Sequence, residues 1–193
     1  MAGIHGVTIE PELVAQLVKG DPGAQDLVYR RMARPVFTMA RRVLQDSEIA
    51  EDVTQDTFVD VFNKVSMLKD PASFVGWVRR IAINHCLMTI RSPWNKRRFP
   101  LEDEESIEGT QQDRPDMAMD LEAALQKLNP RTRAVVWLYC VEGYTHDEIG
   151  EMFNQTASFS KSQLNRALRR LKEQSDEQDA AEPRLPRAVA LWT

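Results

Sequence analysis

Apolar positions recur with a helical period along the chain, and no segment shows the two-residue period of a strand. Between Thr145 and Lys172 this pattern predicts two helices around a short turn. Thr145 and Glu148 have the spacing of a capping box, so the first of these helices is predicted to begin at His146. Asn154, which tolerates a left-handed backbone, is predicted to end it. The segment therefore resembles a helix-turn-helix.

The second of these helices, which Thr156 can cap, is predicted to be amphipathic. Its buried stripe is expected at Leu164, Ala167, Leu168 and Leu171. The opposite side combines short polar side chains with basic ones: Ser158, Lys161, Ser162, Asn165, Arg166, Arg169, Arg170 and Lys172. Short donors can read base edges in a major groove while cations meet phosphates, so this side favours binding of duplex DNA. An ordinary helix pair with a solvated basic face is the alternative.

Two helices are predicted at the start of the chain. The first covers residues 11–19, and Asp21 with Pro22 begins the second. Pro35 lies inside the second helix and predicts a kink or a break there. The apolar positions of this helix are Leu27, Val28, Met32, Val36, Phe37, Ala40, Val43 and Leu44.

A third helix, capped by Asp46, is predicted to bury one side and to carry acid on the other. The buried side is assigned to Ile49, Val53, Thr57, Phe58, Val61 and Phe62. The acidic side comprises Glu48, Glu51, Asp52, Gln55, Asp56 and Asp60. No Lys or Arg relieves its repulsion before Lys64, which costs a few tenths of a kcal/mol per like-charge pair. A basic partner would remove that cost, whereas a solvated helix face is the alternative.

A fourth helix, opened by Asp70 and Pro71, is predicted to combine bases with aromatic side chains. Its buried side is assigned to Phe74, Trp77 or Val78, Ile81, His85 and Met88. Several basic and amide side chains are expected to reach solvent: Arg79, Arg80, Asn84 and Arg91. They are followed by Trp94, Lys96, Arg97 and Arg98. Cations beside flat rings suit single-stranded nucleic acid. A core tryptophan with a solvated basic edge fits the pattern equally well.

Composition and charge add a boundary between two domains. The chain has 193 residues, 42% hydrophobic and 28% charged, as is usual for a globular protein of one or two domains. Residues 101–120 contain one Lys or Arg against eight Asp or Glu, whereas residues 1–100 contain 14 against 11 and residues 121–175 contain 8 against 6. This acidic stretch is predicted to be a flexible linker. We therefore expect an all-α fold of two small helical domains.

Other classes of function find little support in the sequence. Cys86 and Cys140 are interpreted as buried free thiols, and His85 beside Cys86 is not expected to bind a metal because neighbouring helical residues point apart. No glycine-rich phosphate loop, metal-ligand set or activated nucleophile is evident, so we predict no enzymatic activity, no catalytic residue and no cofactor. No apolar run approaches the roughly 20 residues of a membrane span, and the start lacks the pattern of a signal peptide. A cytoplasmic protein without membrane insertion is expected.

Four motifs resemble the sigma-70 family of bacterial RNA polymerase sigma factors, in particular its extracytoplasmic-function (ECF) group. AEDVTQDTF at residues 50–58 is similar to the family's AEDVTQETF, and WVRRIAIN at 77–84 to its WLYRIARN. DEIGEM at 147–152 resembles EEIAEI, and KSQLNRA at 161–167 resembles KSRLHRA.

The resemblance implies an initiation factor that works as a subunit of RNA polymerase. Residues 10–98 would form the family's region 2, 99–119 the linker and 120–173 region 4. Residues 174–193, which contain two prolines, are expected to be a disordered tail. Docking on the coiled coil of the largest polymerase subunit is implied for Glu51, Asp52, Gln55 and Asp56. Capture of the promoter's -10 element as single strand is implied for Trp77, Arg79, Arg80 and Asn84. Recognition of the -35 element as duplex is implied for Ser158, Lys161, Ser162, Asn165, Arg166 and Arg169.

The resemblance also implies an anti-sigma factor that covers these surfaces, and the apolar end of the tail is an internal candidate for the same role. The chain does not match the family's sequence pattern at every position. Where the family has Gly-Thr-Val before the recognition-helix lysine, this chain has Ser158, Phe159 and Ser160, and Gln163 replaces a usual arginine. The alternative function is a free-standing helix-turn-helix regulator that binds promoter DNA without being a polymerase subunit.

Overall fold

The computed structural model describes residues 4–92 and 125–179, and every regular element in these two ranges is helical. The all-α prediction is therefore confirmed. The described residues form two compact units, one of residues 4–92 with 140–143 and the other of residues 125–139 with 144–179. Three predicted segments lie outside the described residues: the basic stretch from Trp94 to Arg98, the linker, and the tail beyond Asp179.

Four α-helices build the first unit. They are α1 (Pro11–Val18), α2 (Pro22–Leu44), α3 (Ser47–Lys64) and α4 (Phe74–Arg91), with short 3-10 turns at Ile4–Gly6, Val65–Met67 and Pro71–Ser73. Helix α3 packs against both α2 and α4, and α1 packs against α2. The core between them is apolar and contains Val14, Leu17, Val28, Met32, Val36, Val53, Phe58, Val61, Phe74, Val78 and Leu87.

Local caps begin these helices where the sequence predicted. The Asp21 carboxylate accepts the Ala24 amide at 2.8 Å, and the Asp46 carboxylate accepts the Ile49 amide at 3.1 Å. Each bond satisfies an amide that has no partner within the first turn of its helix. Helix α2 ends at Gln45, whose φ of 58° is left-handed.

Helix α2 continues without interruption through Pro35, so a break at this position is not observed. Proline inside a helix removes one backbone hydrogen bond and costs about 3 kcal/mol or more. Met32 and Val36, on either side of it, are both fully buried. Burial of these side chains offsets the lost bond, because packing of an amphipathic face supplies most helix stability.

Two apolar residues predicted to be buried, Met88 and Leu168, instead lie at the surface, as does Leu27, which the helical pattern places only among the apolar positions of α2. Met88 is 63% exposed, Leu27 46% and Leu168 44%, whereas the residue directly before or after each one, Leu87, Val28 and Ala167, is buried. Consecutive residues on a helix point about 100° apart, so only one of such a pair can face the core. The buried side of α4 consists of Phe74, Val78, Ala82, Ile83, Cys86 and Leu87, while Trp77, Ile81 and His85 are half-buried.

Three α-helices build the second unit: α5 (Pro130–Cys140), α6 (His146–Met152) and α7 (Ala157–Asp179). Helices α6 and α7 pack against each other around the turn between them. Helix α7 reaches Asp179, so it extends past residue 174, where the tail was predicted to begin.

A buried arginine joins α5 to the segment before it. Arg133 is 3% exposed, and its guanidinium donates to the carbonyl oxygens of Leu125 at 2.8 Å and Leu128 at 2.7 Å. Burial lowers the pKa of Arg133 to about 10, so the group is still charged at neutral pH. The charge is therefore accommodated by backbone carbonyls.

Both cysteines are free thiols, as predicted, although Cys140 is only half-buried. Burial raises the pKa of Cys86 to about 12 and that of Cys140 to about 11. Because the thiolate is the reactive form, both groups are inert at neutral pH.

Candidate docking and nucleic-acid interfaces

The four residues that define the acidic face of α3, Glu51, Asp52, Gln55 and Asp56, are all exposed. The four residues lie at adjacent positions and at i+4 spacing, so they form one continuous patch. The inner side of the helix is apolar except for Thr54 and Thr57, whose hydroxyls donate to the carbonyl oxygens of the fourth residue before each. The two buried hydroxyls are thus satisfied within the helix, and the acidic residues lie on the exposed side.

Val59 was not predicted as part of this patch, yet it is 58% exposed. It follows Gln55 and Asp56 at i+4 and i+3, so it extends the acidic face with an apolar residue. The i+3 and i+4 spacing of Val59 from these two residues is sufficient to place it on the acidic face from the sequence.

Asp60, in contrast, is engaged within the first unit. Its carboxylate lies 2.7 Å from the Lys64 ammonium and 3.0 Å from Nε2 of His85 on α4. The hydrogen bond from Lys64, followed by that from His85, lowers the pKa of Asp60. The acidic face therefore ends before Asp60, and His85 serves as a polar link between α3 and α4.

The α4 face implied for single-stranded DNA is only partly accessible. Arg80 and Asn84 are exposed, whereas Trp77 and Arg79 are half-buried. The Trp77 ring packs at 6.1 Å from that of Phe74, which is itself buried, so part of the indole remains at the surface. Met88 follows Asn84 at i+4 and is exposed, so it extends this face in the direction of the helix C-terminus.

The outer face of α7 brings all six predicted duplex-reading residues together. They are Ser158, Lys161, Ser162, Asn165, Arg166 and Arg169, each of which is exposed. All six line one surface depression of about 600 Å³. Three of them are cations and three are short neutral polar groups, the combination that phosphates and base edges require.

The helix-turn-helix has the predicted local chemistry both at the start of α6 and in the turn between α6 and α7. The Thr145 amide donates to the Glu148 carboxylate at 2.8 Å and the Glu148 amide to the Thr145 hydroxyl at 3.3 Å, which completes the capping box. Asn154 is left-handed, with a φ of 53°. At Gly150 a Cβ atom would lie 2.8 Å from the backbone carbon of Thr156, so the two helices approach too closely there for a side chain.

At three positions where the sequence departs from the family pattern, the side chain contacts other residues of the second unit. The Phe159 ring packs 5.3 Å from that of Phe153. Ser160 is fully buried, with its hydroxyl 2.9 Å from Nδ1 of His146. The Thr132 hydroxyl of α5 donates to the side-chain carbonyl of Gln163 at 2.5 Å. These residues seat α7 on its neighbours.

His146 links all three helices of this unit. Its ring stacks on Tyr139 of α5 at 4.4 Å and 12°, while its Nδ1 meets Ser160 of α7. From the sequence, His146 is predicted only as the first residue of its helix. Nothing in its local spacing indicates a partner that lies 14 residues away.

Comparison with known families decides between the possibilities that the motifs raised. A family model described as Sigma-70 region 2 matches residues 28–96, and one described as Sigma-70, region 4, matches residues 118–171. The chain belongs to the sigma-70 family. The two matches are in the order of the two regions and contain all fourteen candidate residues of the three faces.

Curated relatives place this sigma factor in the ECF group. It is 32% identical to the ECF RNA polymerase sigma factor SigE of Mycolicibacterium smegmatis over 166 residues, which make up 80% of this chain and 63% of that protein. It is 29% identical to the ECF RNA polymerase sigma factor SigM of Mycobacterium tuberculosis over 162 residues, 84% of this chain and 82% of that one. The chain thus spans less than two thirds of the length of that SigE.

Two solved structures share the fold. CnrH, in complex with the cytosolic domain of CnrY, matches with a TM-score of 0.53 and 20% identity over 86% of this chain and 97% of that one. The sigma factor RpoE of Bartonella quintana, in complex with the anti-sigma factor NepR, matches with a TM-score of 0.53 and 20% identity over 77% and 94%.

Within residues 4–92 and 125–179, no set of three or more His, Cys, Asp or Glu side chains is arranged to hold a metal ion. In the same ranges none of the helices has both the length and the apolar character that crossing a membrane requires.

Proposed function

We propose that this sigma factor directs core RNA polymerase to specific promoters by reading the -35 element as duplex and capturing the -10 element as single strand. The chain itself performs no chemistry, since the polymerase makes the RNA. It works in the cytoplasm with no cofactor of its own.

The outer face of α7 is the observation that carries this proposal. Six side chains of suitable chemistry are exposed along one side of a helix that packs on α6 across a tight turn. In a helix-turn-helix the second helix enters the major groove, with bases read by its outer residues. Lys161, Arg166 and Arg169 would meet phosphates, while the neutral side chains would meet base edges.

The α4 face supports the second part of the proposal. Arg80 can contact the phosphate backbone, and Asn84 presents an amide that can hydrogen-bond an unpaired base. Trp77, with its indole partly exposed, supplies an aromatic surface on which a base can stack. These contacts require open DNA, because the flat faces of bases are inaccessible in a duplex.

Docking on polymerase is assigned to the acidic face of α3. Its four residues are exposed without a structural role, and their mutual repulsion is relieved when a basic surface covers them. We propose the coiled coil of the largest polymerase subunit as that surface, as the resemblance implies.

An anti-sigma factor is the proposed regulator. The solved structures of CnrH and RpoE both contain a second protein, CnrY in the first and the anti-sigma factor NepR in the second. In this chain the acidic face and the α7 outer face are exposed together, which makes them available for such a partner until polymerase binds.

Run-off transcription with purified core polymerase on a genomic promoter library tests the proposal. We expect transcripts that start at a restricted set of sites only when the chain is added, and a shared motif about 35 base pairs upstream, as the -35 name specifies. Core polymerase alone is the control. Specific binding of the chain to promoter DNA without any association with core enzyme in a pull-down would favour the free-standing regulator instead.

A further inference from the structure

The outer face of α7 contains three neutral polar side chains, and they differ in what they can recognise. Ser158 and Ser162 carry hydroxyls, which pair with donors and acceptors alike and discriminate weakly between bases. Asn165 carries an amide, with one acceptor oxygen and two donor hydrogens on a rigid plane. An amide therefore offers the more selective contact.

A second amide on α7, that of Gln163, serves a different purpose. Its carbonyl oxygen already accepts the Thr132 hydroxyl, and its side chain is half-buried. Asn165 is exposed, and within the described part of the chain its amide makes no hydrogen bond. Asn165 thus keeps both its donor and its acceptor available for an external partner, whereas Gln163 does not.

Adenine is the base whose exposed edge matches such an amide. In the major groove it presents the N7 acceptor next to the N6 donor, and an asparagine side chain satisfies both at once. Guanine presents two acceptors and cytosine a donor only, so neither matches the amide at both positions.

We propose that Asn165 sets a preference for adenine at one base pair of the -35 element. This inference rests on the proposed duplex recognition by α7 and adds the base that one residue reads. The cations around it, Lys161 and Arg166, hold the helix in the groove, so Asn165 is placed against the bases by groups that are themselves insensitive to sequence.

Helix geometry limits the range of this preference. Ser158 and Asn165 are seven residues apart, which corresponds to about 10 Å along a helix or about three base pairs. The two side chains therefore contact different base pairs. Substitution at one position should leave the base preference at the other unchanged.

The test measures holoenzyme binding to a set of promoters in which every base pair of the -35 element is varied singly. For the unmodified chain we expect adenine at one pair to be favoured by roughly 5- to 150-fold over the other bases. Asn165→Ala should abolish the preference at that pair alone. Asn165→Asp should transfer it to cytosine, because a carboxylate accepts from the cytosine N4 amine.

Matched variants separate base reading from general binding. Lys161→Ala should lower the affinity for all promoters by a similar factor and make binding less dependent on salt, since it removes a phosphate contact. Ser158→Ala should change the base preference only at a pair about three base pairs from the one that Asn165 reads, as the helix spacing requires. Circular dichroism of each variant verifies folding, which is expected to be intact because these side chains are exposed.

An unchanged preference at every position in Asn165→Ala, or an adenine preference retained in Asn165→Asp, would overturn the inference while leaving the proposed function in place. A chain that shows no preference at any -35 position before substitution would instead overturn duplex recognition by α7 itself.

Discussion

The acidic face of α3 and the outer face of α7 are both exposed, but the two helices are held in place by different kinds of contact. Helix α3 buries Val53, Phe58 and Val61 between α2 and α4. Helix α7 has Ala167 as its one fully buried apolar residue among those described, and it is seated mainly by Phe159, Ser160 and Gln163.

Because of this difference, the exposed residues of α3 can change without loss of stability, whereas on α7 a change that loosens the helix also affects its outer face. On α3 the exposed acids and the buried apolar residues lie on opposite sides, so one set can change without the other. On α7 the seating residues also lie opposite the face proposed to bind DNA, but they are few, and two of the three contacts are single hydrogen bonds. A change in seating is therefore expected to alter how the outer face meets a groove.

The largest expected effect is on polymerase docking. Reversal of two charges, Asp52→Lys with Asp56→Lys, should abolish binding to core enzyme, since like charges placed against a basic surface cost several kcal/mol. Helicity and unfolding midpoint should remain nearly unchanged because both residues are exposed. Core binding is measured by fluorescence anisotropy of labelled chain.

Glu12→Lys provides a matched control for this experiment. Glu12 is also exposed and acidic but lies on α1, outside the acidic face. Its reversal should leave core affinity within a factor of about two, since isolated surface charges contribute little. If the double reversal on α3 has no more effect than Glu12→Lys, the docking assignment is wrong.

The next effect concerns the apolar packing that holds the first unit. Leu87→Ala should destabilise the protein by about 2–5 kcal/mol, because it deletes a buried side chain and leaves a cavity. Met88→Ala, one residue later, should change stability by less than about 0.5 kcal/mol, since Met88 is 63% exposed. Urea unfolding followed by circular dichroism measures both, and equal losses would mean that the buried side of α4 is misassigned.

A smaller effect is expected where α6 and α7 approach each other. Gly150→Ala should cost about 1–3 kcal/mol, because its Cβ would lie within 3 Å of backbone atoms of Gln155, Thr156 and Ala157. Binding to a -35 duplex should fall as well, since the turn that positions α7 must shift. Both quantities can be followed in the same urea and duplex titrations.

Gly76→Ala is the control, because outside the local backbone of its own helix no atom lies within 4 Å of the added Cβ on this exposed residue. It should stabilise α4 by up to about 1 kcal/mol through helix propensity. A Gly150→Ala variant that is as stable as Gly76→Ala would show that close approach does not constrain the turn.

The parts of the fold that the sequence predicted well are those decided within a few residues. The caps at Asp21 and Asp46 and the capping box at Thr145 each depend on neighbours three positions away, and all are present. The buried side was predicted less well wherever two apolar residues are adjacent, as at Leu87 and Met88. Periodicity does not decide which of the two faces the core, since that depends on the neighbouring helices.

Contacts between distant residues could not be predicted. The pairs His85 with Asp60, Ser160 with His146 and Gln163 with Thr132 are separated by 25, 14 and 31 residues. Each is a polar pair whose partners carry no mutual signal in a single sequence. The six residues of the α7 outer face were found because they share one helix, so their arrangement follows from helical spacing alone.

The smallest effect tests the polar link of the first unit, where Asp60 lies between Lys64 and His85. Asp60→Asn should cost less than about 1 kcal/mol at pH 7, as is typical of partly exposed ion pairs. Because the partners lower the pKa of Asp60 in the folded state, its contribution is present above its ordinary pKa of about 3.9 and is lost as the pH falls through the lowered value. The difference in unfolding free energy between the parent and Asp60→Asn should therefore shrink as the solution is acidified below about pH 4. Asp26→Asn, which breaks a more exposed pair with Arg30 inside α2, should cost still less, since both of its side chains are more than half exposed. An Asp60→Asn cost that stays constant down to pH 2 would mean that packing around residue 60, and not the charge, links α3 to α4.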